Sequence, residues 1–178
     1  MQKIETPLQD LHVIEPQVFG DDRGFFFESY NEDKFRDLGI NFSAKQGNYS
    51  RSARGVLRGL HFQLPPKAMA KLVWCPRGRL WDVAVDLRKH SPTYLKWFGI
   101  ELSEENKKML FVPKGFAHGF YSLDDCDLAY LVDETYDKDL DANIRWDDPA
   151  FGIEWPIEPS LSARDQAAPS FNELDLTF

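Results

Sequence analysis

Short β-rich runs at close spacing, each closed by a turn signal, constrain this chain more than any other feature. Apolar, β-branched and aromatic residues mark strands over 11–19, 24–30, 45–50, 55–63, 70–75, 80–87, 94–102, 108–112, 116–123 and 128–133. Gly20-Asp21-Asp22 and Pro76-Arg77-Gly78 punctuate them, as turns between antiparallel strands require. About ten strands in this arrangement predict an all-β sandwich or barrel with few helices. One helix is expected over 32–38, where Asn31 can cap the first turn, Glu32 and Asp33 suit the positive end of the dipole, and Gly39 can end it. The stretch from Pro156 onward reads as irregular, and no repeat, linker or low-complexity segment divides the chain.

Within 80–87 the two-residue strand period puts Trp81, Val83, Val85 and Leu87 on one face and Asp82, Ala84 and Asp86 on the other. In a barrel, the second face is a candidate cavity lining. A length of 178 residues suits one domain, so residues 1–178 are expected to form a single unit.

The net charge of −8 argues against nucleic acid or an anionic membrane as partner, since both are attracted by basic faces. An anionic small molecule can still bind in a locally basic pocket. No apolar segment approaches membrane-spanning length, and the first ten residues lack the pattern of an export signal. The two cysteines, Cys75 and Cys126, stand at no metal-like spacing; they predict reduced, inert core thiols in a cytoplasmic protein.

Two of the four histidines sit in suggestive settings: His61 in Gly55-Val56-Leu57-Arg58-Gly59-Leu60-His61-Phe62-Gln63, and His118 in Pro113-Lys114-Gly115-Phe116-Ala117-His118-Gly119. On a strand, a histidine is more often packed than catalytic. Near His61, however, lie Arg58, Gln63 and Lys71, so a group that titrates near neutrality accompanies positive charge. That company suits proton abstraction from an anionic substrate.

The segment Pro113 to His118 resembles a metal motif of cupins, a broad family of small β-barrels. The earlier His-x-His of that pattern is here His61-Phe62-Gln63, and no acid precedes Lys71 where a glutamate ligand is usual. A cation in that place repels a divalent metal, so no metal site is expected.

A more specific resemblance lies in Gly20 through Glu28, Gly55 through Gln63, Trp81-Asp82-Val83-Ala84-Val85-Asp86, Pro113 through Phe120 and Ile144-Arg145-Trp146-Asp147-Asp148-Pro149. These segments, in this order across nearly the whole chain, resemble the dTDP-4-dehydrorhamnose 3,5-epimerase family. The resemblance implies a cupin-type jelly roll with a few short peripheral helices, a homodimer, and epimerisation of dTDP-4-dehydro-6-deoxy-glucose at carbons 3 and 5 on the route to dTDP-rhamnose, with no metal or redox cofactor. The chemistry agrees with the residues present: a ketone at carbon 4 acidifies the neighbouring C–H bonds, and the enolate then needs a base, an acid and a cationic partner.

By the resemblance, His61 is the base, Asp165 orients it, and Tyr130 is the acid on the opposite face of the sugar. Lys71 is the candidate for stabilising the enolate oxygen. Arg23, Glu28, Gln46, Asn48 and Arg58 match positions that hold the nucleotide. Phe26 and Phe19 are candidates to pack on thymine, and His118, with Asp82, to support the sugar. Without the family, Asp165 reads as a solvated tail residue, and the two phenylalanines as core.

Three departures stand out: Leu131 where many relatives carry lysine, Gly47 where aspartate is usual, and Met69 in place of glutamine. They leave open an enzyme that epimerises only carbon 3 or only carbon 5. A metal-dependent cupin and a non-catalytic nucleotide-sugar module are the competing readings; the pairing of a base with an acid speaks against the second.

Overall fold

The computed structural model describes residues 1–156, 159–176 and 178. Thirteen strands and short helices follow in the order β1 (Gln2–Glu5), β2 (His12–Glu15), β3 (Val18–Asp21), β4 (Gly24–Phe27), α1 (Glu32–Asp37), β5 (Gln46–Ser52), β6 (Leu57–Gln63), β7 (Lys71–Arg77), β8 (Arg79–Asp86), β9 (Trp97–Ser103), β10 (Met109–Val112), β11 (Phe116–Ser122), β12 (Cys126–Val132), β13 (Asp141–Asn143) and α2 (Ala163–Gln166), with a 3-10 turn at Phe171–Glu173. A six-stranded sheet, β1-β2-β10-β7-β12-β5, faces a five-stranded one, β13-β6-β11-β8-β9, and β3-β4 stand apart as a hairpin. Every strand pair among the described residues is antiparallel, the sandwich that the turn spacing implied and the jelly-roll class that the resemblance implied.

The apolar residues sort into three layers because strand side chains alternate. Val73, Cys75, Leu110, Val112 and Leu128 from the larger sheet meet Leu80, Ala84, Leu102, Phe116 and Phe120 from the smaller one. Val83, Val85, Leu60, Phe62 and Ala117 face the other way and are covered by Ile144, Phe151 and Leu176, with Trp81 packed alongside. On the outside of the six-stranded sheet, Ile14, Leu72, Met109 and Phe111 are covered by Phe35, Ile40 and Phe42. The split expected within 80–87 is therefore real: Val83 and Val85 point outward to a covered face, Ala84 inward.

Helix α1 forms where its caps predict. The Asn31 side chain accepts from the Lys34 amide, Phe35 is its one buried residue, and Gly39 takes φ +78° just past its end. Burying Phe35 contributes about 2 kcal/mol, more than so short a helix supplies by itself.

The structure departs from the sequence reading in three places. The run 11–19 is two strands, because Pro16 lacks the amide a continuous ladder needs. Strands β1 and β13 were not foreseen: β1 is exposed, β13 is three half-buried residues, and neither carries a usable hydrophobic alternation. In the stretch read as irregular, Ala163–Gln166 is helical, capped by Ser162. Among the described residues, no helix is long and apolar enough to cross a membrane.

Candidate active site

Strands β6 and β11 set the two imidazoles side by side, with His61 and His118 opposite one another in register. Regular alternation would turn Arg58, three residues before His61, to the other face of the sheet. A bulge between His118 and Phe120 shifts the register by one, and Arg58 and His61 line the same cavity. Gly59 makes the bulge possible: at φ +139°, a Cβ there would stand 2.5 Å from Gly119 Cα and 3.1 Å from the His118 carbonyl oxygen. Only glycine tolerates both the dihedral and the approach.

The facing sheet supplies the other wall. Gln46, Asn48 and Ser50 alternate inward along β5, Tyr130 lies between Asn48 and Val73, and Lys71 pairs with Val112 and Val132. Two cavities of about 390 and 210 Å³ open between the sheets, and both are lined by His61, Lys71 and Tyr130. Gln46 and Asn48 belong to the larger, Arg58 and His118 to the smaller.

Behind His61 lies a buried carboxylate. Asp165, 3% exposed, holds Oδ1 at 2.6 Å from His61 Nε2. A proton donated along that contact leaves Nδ1 as the basic nitrogen. Burial works against the Asp165 charge, but the bonds from His61 and Ser162 outweigh it and hold the acid below its ordinary range. A second pair stands next to the first: His118 Nε2 lies 2.9 Å from both oxygens of the fully buried Asp82.

Lys71 donates to the His61 backbone carbonyl at 3.3 Å. The residue keeps some surface open to the cavity, yet burial pushes its ammonium down to about 8, against the opposing pull of Asp82 and Asp141. Burial also raises the Tyr130 phenol above its usual value, helped by Asp141 and opposed by Arg58. Arg58 is braced by Ser52 Oγ at 2.9 Å and the Arg51 carbonyl at 3.2 Å. Neither Lys71 nor Arg58 has a carboxylate partner among the described residues. In a chain of net charge −8, the cavity is thus locally cationic, which suits an anionic ligand.

Three expected ligand contacts lie elsewhere. Arg23 and Phe26 line a shallow depression on the β3-β4 hairpin, Arg23 is paired to Asp21, and Glu28 is paired to Lys34 at 2.8 Å. Neither cavity includes them. The hairpin aromatics are open to solvent, Phe19 at 56% and Phe26 at 67%, so the core reading for these phenylalanines does not hold.

Sequence reasoning missed Tyr136, Asp141 and Arg164, which line the larger cavity. Asp141 accepts from Tyr136 Oη at 3.1 Å and from Arg164 Nη1 at 2.7 Å. These residues sit on turns and very short elements, where no period marks an inward face. Of the three departures, only Met69 lines a cavity; Gly47 and Leu131 pair with each other, and Leu131 packs on the outer layer.

A family model described as dTDP-4-dehydrorhamnose 3,5-epimerase matches residues 5–173. The dTDP-4-dehydrorhamnose 3,5-epimerase of Salmonella typhimurium is 48% identical over 178 residues, covering 98% of this chain and 97% of that one. The crystal structure of a dTDP-6-deoxy-D-glucose-3,5-epimerase from Legionella pneumophila, in complex with dTDP-4-keto-L-rhamnose, superposes with a TM-score of 0.94 at 43% identity, covering 98% and 94% of the two chains. A more distant neighbour, a 3'-monoepimerase from Streptomyces bikiniensis in complex with dTDP-quinovose, has a TM-score of 0.86 at 36% identity, with 93% and 85% covered.

Proposed function

The chain belongs to the dTDP-4-dehydrorhamnose 3,5-epimerase family, whose members are isomerases, and on that premise we propose that it converts dTDP-4-dehydro-6-deoxy-D-glucose to dTDP-4-dehydro-L-rhamnose by proton transfer at carbons 3 and 5. The observation that carries the reading is the meeting of His61, Lys71 and Tyr130 in one cleft, with Asp165 bonded behind the imidazole.

His61 removes the hydrogen of carbon 3 or carbon 5 as a proton, and the C–H electron pair moves into the ring and onto the carbon 4 oxygen. Asp165 stabilises the imidazolium that forms, as the carboxylate does in other histidine bases. The Lys71 ammonium stabilises the enolate oxygen, where a charge kept from bulk water counts for more. Tyr130, on the opposing sheet, delivers a proton to the other face of the ring. Inversion follows, since a lone base tends to return the proton to the face it came from. The phenol is suited to this: raised above its ordinary range, it stays protonated at neutral pH. The proton on His61 then passes to solvent, and the phenolate is reprotonated.

Arg58 faces the diphosphate, a role that fits its fork of donors. Gln46 and Asn48 offer polar edges to the nucleotide, and His118, held by Asp82, supports the sugar. Arg23, Phe26 and Glu28 reach a nucleotide only from a neighbouring protomer, because the hairpin, and Glu28 just past it, lie outside the cavities of their own chain. A homodimer that trades hairpins reconciles their expected role with their position and covers the exposed Phe19, Phe25 and Phe26. The whole chain acts as one unit. Two free, buried cysteines support a working place in the cytoplasm.

Incubation with dTDP-4-dehydro-6-deoxy-glucose in deuterated water, read by NMR, tests the reading. Deuterium at carbons 3 and 5 is expected. Incorporation at one carbon alone would make the protein a monoepimerase, and incorporation at neither would overturn the assignment.

A further inference from the structure

The four-residue helix α2 is too short to be stable alone, yet it carries the carboxylate on which the base relies. Its approach is fastened to β6: Ser160 accepts from the Leu57 amide at 3.0 Å and donates its own to the Gly55 carbonyl at 2.8 Å. Ser162 then plays two parts. Its Oγ accepts from the Asp165 amide at 3.1 Å, capping the helix, and donates its hydroxyl proton to Asp165 Oδ2 at 2.8 Å. The other oxygen, Oδ1, faces His61. Among the described residues, the Asp165 carboxylate has no further hydrogen-bond partner.

A buried carboxylate held at one oxygen can still swing about its terminal torsion, and its other oxygen would lack a partner at appreciable cost. A bond at each oxygen removes that freedom. We propose that Ser162 is a positioning residue for the proton transfer: its hydroxyl locks Asp165 in the orientation that keeps the proton on His61 Nε2 and the lone pair on Nδ1. The proposal rests on His61 being the base.

Two consequences separate this role from simple capping. Loss of the hydroxyl frees the Asp165 carboxylate to turn from the imidazole, so the loss falls on kcat and is recovered by a side chain that keeps the hydroxyl. Binding of the nucleotide is not affected, because Ser162 lines neither cavity. The other groups set around that imidazole, Arg164, Lys71, His118, Asp82, Asp141 and Tyr130, are unchanged by a substitution at 162.

The test compares Ser162→Ala, Ser162→Gly and Ser162→Thr for deuterium exchange, for kcat and KM separately and for dTDP affinity, with His61→Ala alongside. Glycine is an accepted N-cap, so Ser162→Gly still reports if Ser162→Ala folds poorly. The expected result is a loss of about tenfold or more in kcat for Ala and Gly, the size usual when a partner behind a catalytic group is removed. dTDP binding stays within about twofold, and Thr recovers most of the rate. Wild-type kcat in both the Ala and Gly variants would overturn the proposal, as would a Thr variant no better than Gly. Exchange that persists in His61→Ala would instead overturn the assignment of the base, so the two failures are distinguishable.

Discussion

Lys71 shows how a single residue acquires its role. Burial lowers its ammonium to about 8, so its charge is full at neutral pH and drains away as pH rises through that value. The Tyr130 phenol is displaced upward, out of that window. kcat/KM is therefore expected to decline above pH about 8, and the decline to belong to Lys71. In Lys71→Arg, which keeps its charge far into the alkaline range, the rate falls about ten- to a hundredfold from altered geometry, but the alkaline limb disappears. A limb that stays near pH 8 in the arginine variant would assign it to another group. His61 and Lys71 were legible in the sequence because a histidine on a strand-like segment stands in the company of Arg58, Gln63 and Lys71, whereas the role of Tyr130 came only from resemblance. The significance of Asp165 came from resemblance as well, since its neighbours make it look solvated and its contact with His61 spans 104 positions.

Among the elements, β6 matters most, and its bulge is the feature hardest to read in advance. Regular alternation would put His61 and Arg58 on opposite faces; the extra residue at Gly59 is what lets them line one cavity, as their grouping in the sequence supposed. Gly59→Ala is predicted to destabilise the fold by about 3 kcal/mol or more, because the added methyl meets backbone of β11 rather than a flexible side chain. Urea unfolding would measure it, and a loss below about 1 kcal/mol would mean that the strands part easily there. The sandwich itself, most of its strands and α1 were evident from turn spacing and caps. Strands β1 and β13 and the short helix α2 were not, because their stability comes from the elements they lie against and not from their own pattern. That is also why Asp141 and Arg164, both cavity-lining, went unseen.

For the whole molecule, the separation of the hairpin from the cavity carries the proposed assembly. If hairpins are exchanged, the active site of one protomer needs Arg23 and Phe26 of the other. Mixing His61→Ala with Arg23→Ala, each poorly active alone, should then restore about a quarter of wild-type activity, since half the dimers are mixed and one of their two sites is intact. No recovery after subunit exchange would place the hairpin's function within its own chain. The central claim remains that the imidazole held by Asp165 takes the substrate proton. It is tested most directly by the rate of deuterium uptake from solvent into dTDP-4-dehydro-6-deoxy-glucose, with wild-type protein and folded His61→Ala compared at equal nucleotide occupancy. Uptake at both carbons is expected to vanish in the variant; uptake at the wild-type rate would remove His61 as the base.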